Sequence, residues 1–385
     1  MVHSACVDTS LLASPRERGA VQPTAGLGSQ SQQAAQRSPS LLKTSMADTE
    51  DQQEQSGLAP GSQAAAGIFG TLLVLLVLGL LVYLLRRWMQ GPPRLSADLK
   101  LEGKTVVITG ANTGIGKVTA LDMSRRGAKV VILCRDMERA EAAAAEVRDV
   151  TKGEVICHRL DLADLASVRE CAEQLGNSLD KIDILINNAG IMACPQMKTK
   201  DGFEMQLGTN HIGHFLLTNL LMPQLKKAAP TARIVNVSSM AHKPGRMNWD
   251  DLHYENTPYH RFTAYSQSKL ANILFTKELA RKGEGSGVMA YALHPGVIAT
   301  DLGRHMEDMN CFTKMMWRCF APLIKTPESG ANTTIYCAIE PSLAEHNGKY
   351  YSDCREVRPA PQAENMEDAK KLWDLSEQMV KLNQA

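Results

Sequence analysis

A chain of 385 residues, 44% of them hydrophobic, has enough apolar side chain for one large domain or two ordinary ones. Its 42 basic and 41 acidic residues nearly cancel, which argues against nucleic acid as a partner. Nine cysteines with no C-x-x-C pair signal neither a zinc site nor a disulfide framework and fit a reducing compartment. His211 and His214 find no third ligand of matching spacing, so no metal is expected.

Residues 1–63 are rich in Ser, Gln, Ala and Gly without sustained periodicity and read as a disordered extension. Arg16, Arg18, Arg37 and Lys43 suggest a mitochondrial presequence, but the Arg-bearing amphipathic helix of one is not evident; Met46 offers a second translation start. Residues 64–85 form an uncharged, apolar run of 22 residues, about 33 Å as a helix, against a hydrocarbon core of about 30 Å. A transmembrane anchor is expected there. Arg86, Arg87, Arg94 and Lys100 follow it and acidic residues precede it, which places the C-terminal side in the cytosol. Gly91-Pro92-Pro93 should end the helix and begin a linker over 86–99.

From 100 to 385 short β-rich runs alternate with helical ones. Strands are predicted at 105–109, 129–133, 155–160, 182–186, 233–237 and 288–293, with helices at 116–126 and 139–150 among those between them. This alternation predicts an α/β fold, a doubly wound parallel sheet of Rossmann type, in a single catalytic domain with its ligand at the carboxyl ends of the strands.

The first strand runs into Thr109-Gly110-Ala111-Asn112-Thr113-Gly114-Ile115-Gly116 and then a helix. Glycines there let the backbone approach a pyrophosphate, and the helix N-terminus offers free N–H groups. The second strand ends at Cys134-Arg135-Asp136. An acidic residue at Cys134 would accept from a ribose 2′-hydroxyl; with cysteine there and Arg135 next to it, a 2′-phosphate and hence NADP(H) is favoured. The competing reading makes Arg135 a solvated loop residue and Asp136 a helix cap.

Tyr265 and Lys269 are four apart within a helical pattern and should leave the helix on one face. A tyrosine pKa near 10 must fall by roughly 3 units to serve at neutral pH, about 4 kcal/mol. A lysine charge about 4 Å away, at an effective dielectric near 20, could supply that amount.

Together these residues are similar to the short-chain dehydrogenase/reductase family. The glycine run matches T-G-x-x-x-G-x-G, Asn187-Asn188-Ala189-Gly190 matches N-N-A-G, Asn210 falls at the helical asparagine, and Ser239 at the serine after the fifth strand. Tyr265 and Lys269 match Y-x-x-x-K, and Pro295-Gly296-Val297-Ile298-Ala299-Thr300 matches P-G-x-x-x-T. More narrowly, Cys134-Arg135-Asp136, Asn210 to Phe215, the insert before Tyr265 and the tail from Gly348 to Cys354 resemble the membrane-bound, NADP-preferring retinol dehydrogenases.

The resemblance implies catalysis by Asn210, Ser239, Tyr265 and Lys269. It implies that NADP(H) is held by Gly110, Asn112, Thr113, Gly114, Ile115, Gly116, Arg135, Asp161, Asn188, Ala189, Gly190, Tyr265, Lys269, Pro295, Gly296, Val297 and Thr300. In reduction, Tyr265 would protonate the alkoxide formed by pro-S hydride transfer, Ser239 would donate to the same oxygen, and Asn210 would hold a water leading from Lys269 to solvent. The expected activity is reduction of retinal to retinol, reversibly, at the endoplasmic reticulum membrane or, as an alternative, a mitochondrial one. Broader reduction of lipid aldehydes or steroid ketones, and a non-catalytic membrane scaffold, stay open as alternatives. The partners implied are a small hydrophobic carbonyl or alcohol substrate, membrane lipid and, by family habit, a second copy of the chain. Lastly, Phe312, Met315, Met316, Cys319, Phe320 and Leu323 form an apolar stripe beside Lys314, Arg318 and Lys325, expected to be either a core face or a lid that dips into the membrane.

Overall fold

The computed structural model describes residues 60–89, 98–298 and 325–382. The chain divides into two units, Met1–Gln63 and Ala64–Ala385, and all but the last four residues of the first lie outside the described range. So do Gly91-Pro92-Pro93, Thr300 and, apart from Lys325, the amphipathic stretch expected at 311–325.

Helix α1 (Pro60–Met89) contains the apolar run and extends past it through Arg86 and Arg87. Its stretch Ile68–Leu85 has a mean hydropathy of 2.8 and leaves every side chain exposed. Among the described residues it is the one helix long and apolar enough to cross a membrane.

Strands β1 (Thr105–Thr109), β2 (Lys129–Cys134), β3 (Val155–Arg159), β4 (Ile184–Asn187), β5 (Ala232–Val237), β6 (Val288–His294), β7 (Tyr350–Ser352) and β8 (Arg355–Glu356) form one sheet, in the order β3-β2-β1-β4-β5-β6-β7-β8. The strands alternate with helices α2 (Gly114–Arg125), α3 (Met137–Thr151), α4 (Leu165–Ser178), α5 (Met205–Leu207), α6 (Gly213–Leu220), α7 (Met222–Lys227), α8 (Arg261–Lys282), α9 (Pro327–Ile339) and α10 (Met366–Met379). The doubly wound parallel sheet expected from the sequence is present in β1 to β7, and β8 adds a short antiparallel strand at the edge beside β7. Between them only Asp353 and Cys354, both left-handed with φ of 51° and 56°, turn the chain. Two residues can close a hairpin, whereas a parallel crossover needs about a dozen.

The strands read as continuous apolar runs because helices cover both faces. Val106, Ile108, Val130 and Ile132 pack with Met123, Ala144 and Ile335 on one side. Val107, Val131 and Leu133 face the other, with Val168, Phe215, Leu274 and Leu372. Strand order reverses between β1 and β4, which opens a crevice beyond their carboxyl ends.

Candidate active site

At the end of β1 the backbone turns through Gly110, whose φ is +67° and whose missing Cβ would lie 2.9 Å from Ala189. Helix α2 then starts behind Thr113 with no side-chain cap and no acidic residue in its first turn, so its leading N–H groups are open to an anion. Gly116 lets the helix close on the turn: a Cβ there would sit 2.4 Å from the Gly110 carbonyl oxygen. A cleft runs past these residues and is also lined by Asn112, Gly114, Ile115, Arg135, Asp161, Asn188, Ala189, Gly190, Lys269 and Pro295. An uncapped helix start behind glycines that admit close approach fits a pyrophosphate, so the residues suit a nicotinamide dinucleotide. Gly116→Ala is therefore expected to weaken dinucleotide binding at least about 10-fold and to lower the urea midpoint, since overpacking costs about 1–3 kcal/mol. Unchanged binding in a fluorescence titration would show that the turn relaxes.

At the far end of the cleft Asp136 accepts from the Arg139 amide at 3.1 Å and caps α3, as the competing sequence reading had it. Arg135 is exposed and lines the cleft, and Arg139, which sequence reasoning missed, lines it too. The available signal was their spacing: four residues apart across a helix start. Asp161 also borders the cleft, with its Oδ1 accepting from the Ala163 amide at 3.0 Å.

The Asn188–Gly190 turn is held from below. Thr109 Oγ1 accepts from the amides of Asn188 at 3.0 Å and Ala189 at 2.9 Å, and Asn188 Nδ2 donates to the Thr109 carbonyl at 2.8 Å. A Cβ on Gly190 would lie 3.1 Å from Asn210 Oδ1 and 3.5 Å from Lys269 Nζ, so the turn meets both side chains there. Asn210 sits in a π-helical turn, Gly208–Ile212, where the helix between α5 and α6 bends. Its side chain accepts from the Ile191 amide at 2.8 Å and donates to the Ile191 carbonyl at 3.0 Å and to Ser268 Oγ at 2.9 Å.

Two serines follow β5 and point to different tasks. Ser238 Oγ donates to the Lys269 carbonyl at 2.6 Å and fixes α8 to the sheet. Ser239 Oγ accepts from the Ala241 amide at 3.1 Å, and Ser239 lies beside the Tyr265 phenol. Lys269 Nζ lies 5.7 Å from the Tyr265 ring centre and donates to the Val237 carbonyl at 3.1 Å. Ser239, Tyr265 and Lys269 are thus brought together, but of the predicted catalytic residues only Lys269 lines the cleft; Asn210, Ser239, Tyr265, Gly296 and Val297 lie outside its lining. Gly296, at φ +99°, gives its amide to His294 Nδ1 at 3.1 Å, and Val297 is exposed.

The electrostatics correct the sequence estimate. Burial pushes the Tyr265 phenol up to about 12, against a smaller lowering by its bond to Ser239, and burial pushes Lys269 down to about 8. Desolvation of the phenolate outweighs the lowering by Ser239, with Lys269 Nζ standing 5.7 Å from the ring centre. At pH 7 the pair is a neutral phenol beside a protonated amine, a donor arrangement suited to protonating an alkoxide.

This fold and these residues define a short-chain dehydrogenase, and the chain belongs to that family: the short chain dehydrogenase model matches residues 104–310. Over 285 residues the chain is 49% identical to retinol dehydrogenase 13 of Homo sapiens, covering 73% of this chain and 86% of that one. A crystal structure of a protein from Mycobacterium Paratuberculosis, 41% identical, superposes with a TM-score of 0.61 over 75% of this chain and 98% of that one. The NADP complex of RhlG from Pseudomonas aeruginosa, 24% identical, shares the fold, with a TM-score of 0.54 over 66% and 96% of the two chains. The chain is thus an oxidoreductase of CH–OH and carbonyl groups that uses a nicotinamide dinucleotide.

Proposed function

We propose that the protein reduces retinal to retinol with NADPH, reversibly, while anchored in the endoplasmic reticulum membrane with its catalytic domain in the cytosol. The observation that carries this reading is the grouping of Ser239, Tyr265 and Lys269, with Lys269 reaching the wall of a cleft fitted to a dinucleotide. When bound, the nicotinamide supplies the hydride. Tyr265 then donates its proton to the carbonyl oxygen, and Ser239 donates a hydrogen bond to the same atom. Lys269 keeps a positive charge beside the phenol and so stabilises the phenolate left behind. Arg135 and Arg139 at the cleft wall would pair with the 2′-phosphate that distinguishes NADPH. The retinoid substrate is carried over from the retinol dehydrogenase at 49% identity, and helix α1 suits a substrate dissolved in lipid.

Retinal, a medium-chain aldehyde and a steroid ketone, each assayed with NADPH, test the substrate. Retinal is expected to give the highest kcat/KM; a higher value for either competitor would replace the retinoid reading with the broader carbonyl reductase. Because Lys269 is charged below about 8 and neutral above it, kcat for reduction is expected to fall as pH rises through that value. A rate flat to pH 9.5 would remove the lysine charge from the chemistry. For topology, protease added to intact microsomes should digest the catalytic domain without detergent. A protected domain would put the active site in the lumen.

A further inference from the structure

One buried titratable group close to the site has no part in the chemistry above. His214 on α6 is 2% exposed, with Nε2 at 2.9 Å from Thr109 Oγ1 and Nδ1 at 3.1 Å from the Asn210 carbonyl oxygen. A carbonyl can only accept, so Nδ1 carries the proton. Burial above all holds the ring neutral, with its pKa down to about 4, which leaves Nε2 as an acceptor. The Thr109 hydroxyl accepts from the Asn188 and Ala189 amides and has a single proton to give. His214 takes it, because the competing Ile186 carbonyl is 3.5 Å away, at the outer edge of hydrogen bonding. The bonds therefore have one consistent direction, from the amides to Thr109, to His214, to Asn210.

We infer that His214 is a positioning residue that joins the dinucleotide turn to the bend beside the catalytic side chains. Thr109 holds the start of the Asn188–Ile191 turn through two amides, and the Asn210 side chain holds its end through both backbone groups of Ile191. His214 ties these two clamps into one unit. From Asn210 the unit continues to Ser268 Oγ, which donates to the Tyr265 carbonyl at 2.8 Å. The cofactor end and the Tyr265 helix are thereby set relative to each other by a chain of buried, directional bonds, and breaking it leaves buried polar groups unpaired. His211, three residues earlier, points elsewhere, to Ser376 Oγ at 2.9 Å, so the role belongs to one of the two histidines.

The inference rests on a nicotinamide dinucleotide occupying the cleft, and wild-type affinity for NADPH, measured alongside, reports on that reading separately. Three variants of the full chain, with NADPH affinity and kcat at saturating NADPH as readouts, test His214. His214→Phe keeps the ring volume but neither bond, and both quantities are expected to fall about 10-fold, the scale of one buried hydrogen bond. His214→Gln keeps an acceptor for Thr109 and should recover affinity without kcat. His214→Asn keeps a donor for Asn210 and should recover kcat without affinity. A phenylalanine variant equal to wild type would overturn the inference, because packing would then suffice. Should His214→Phe fail to fold, the Gln and Asn variants decide: opposite partial losses support the link, and equal losses in both overturn it.

Discussion

Replacing Tyr265 with phenylalanine is expected to leave the fold and NADPH affinity intact while lowering kcat for retinal reduction at least about 100-fold, the scale of a positioned acid. The ring lies in the buried face of α8 at 5% exposure, and phenylalanine keeps that packing. What is lost is the phenolic hydroxyl, which burial keeps protonated at pH 7 beside Ser239 and the Lys269 charge. Ser239 can donate a hydrogen bond but is a far weaker acid than the phenol, so it cannot replace Tyr265 as the proton donor. Turnover within a few-fold of wild type, with Tm unchanged, would move the proton transfer to another group.

The second large effect concerns cofactor choice. Arg135 and Arg139 together are expected to confer the proposed preference for NADPH, and changing both to alanine should weaken NADPH at least about 100-fold. Each charge-assisted contact to a phosphate contributes about 1.5–3 kcal/mol. NADH lacks the 2′-phosphate, so its affinity should change by less than about 3-fold. Cys134 is 4% exposed and forms part of the cleft wall between the glycine turn and Arg135, so Cys134→Asp should place an acceptor near the ribose and shift the preference further to NADH. Equal losses for both dinucleotides, read by fluorescence titration, would make the arginines structural and remove the basis for the proposed NADPH preference.

Much of this was legible because its causes are local. A β-rich run bounded by glycine specifies β1 and the turn at Gly110 with little help from elsewhere, and predicted strands such as 105–109 and 288–293 lie within one residue of β1 and β6. Spacing put Tyr265 and Lys269 on one buried face of α8. What escaped depends on contacts between distant residues. The β7–β8 hairpin rests on left-handed Asp353 and Cys354, with no Asn-Gly pair to announce it. Thr109 and His214, 105 residues apart, meet only once the sheet has formed. The tyrosine pKa was misjudged for the same reason: a charge on a neighbouring turn is visible in sequence, whereas desolvation by the rest of the fold is not. The choice between Ser238 and Ser239 likewise became physical only when the Ser238 side chain was seen to be committed to the Lys269 carbonyl, which leaves Ser239 as the serine beside the phenol.

The central claim is hydride transfer from NADPH to retinal in the site formed by Ser239, Tyr265 and Lys269. Its most direct test is a single turnover of the full-length chain in liposomes with retinal and NADPH deuterated at the pro-S position of C4. The expected result is retinol carrying one deuterium, formed more slowly than with unlabelled NADPH and not formed by Tyr265→Phe. Retinol without deuterium, or no retinol from a protein that binds NADPH, would contradict the claim.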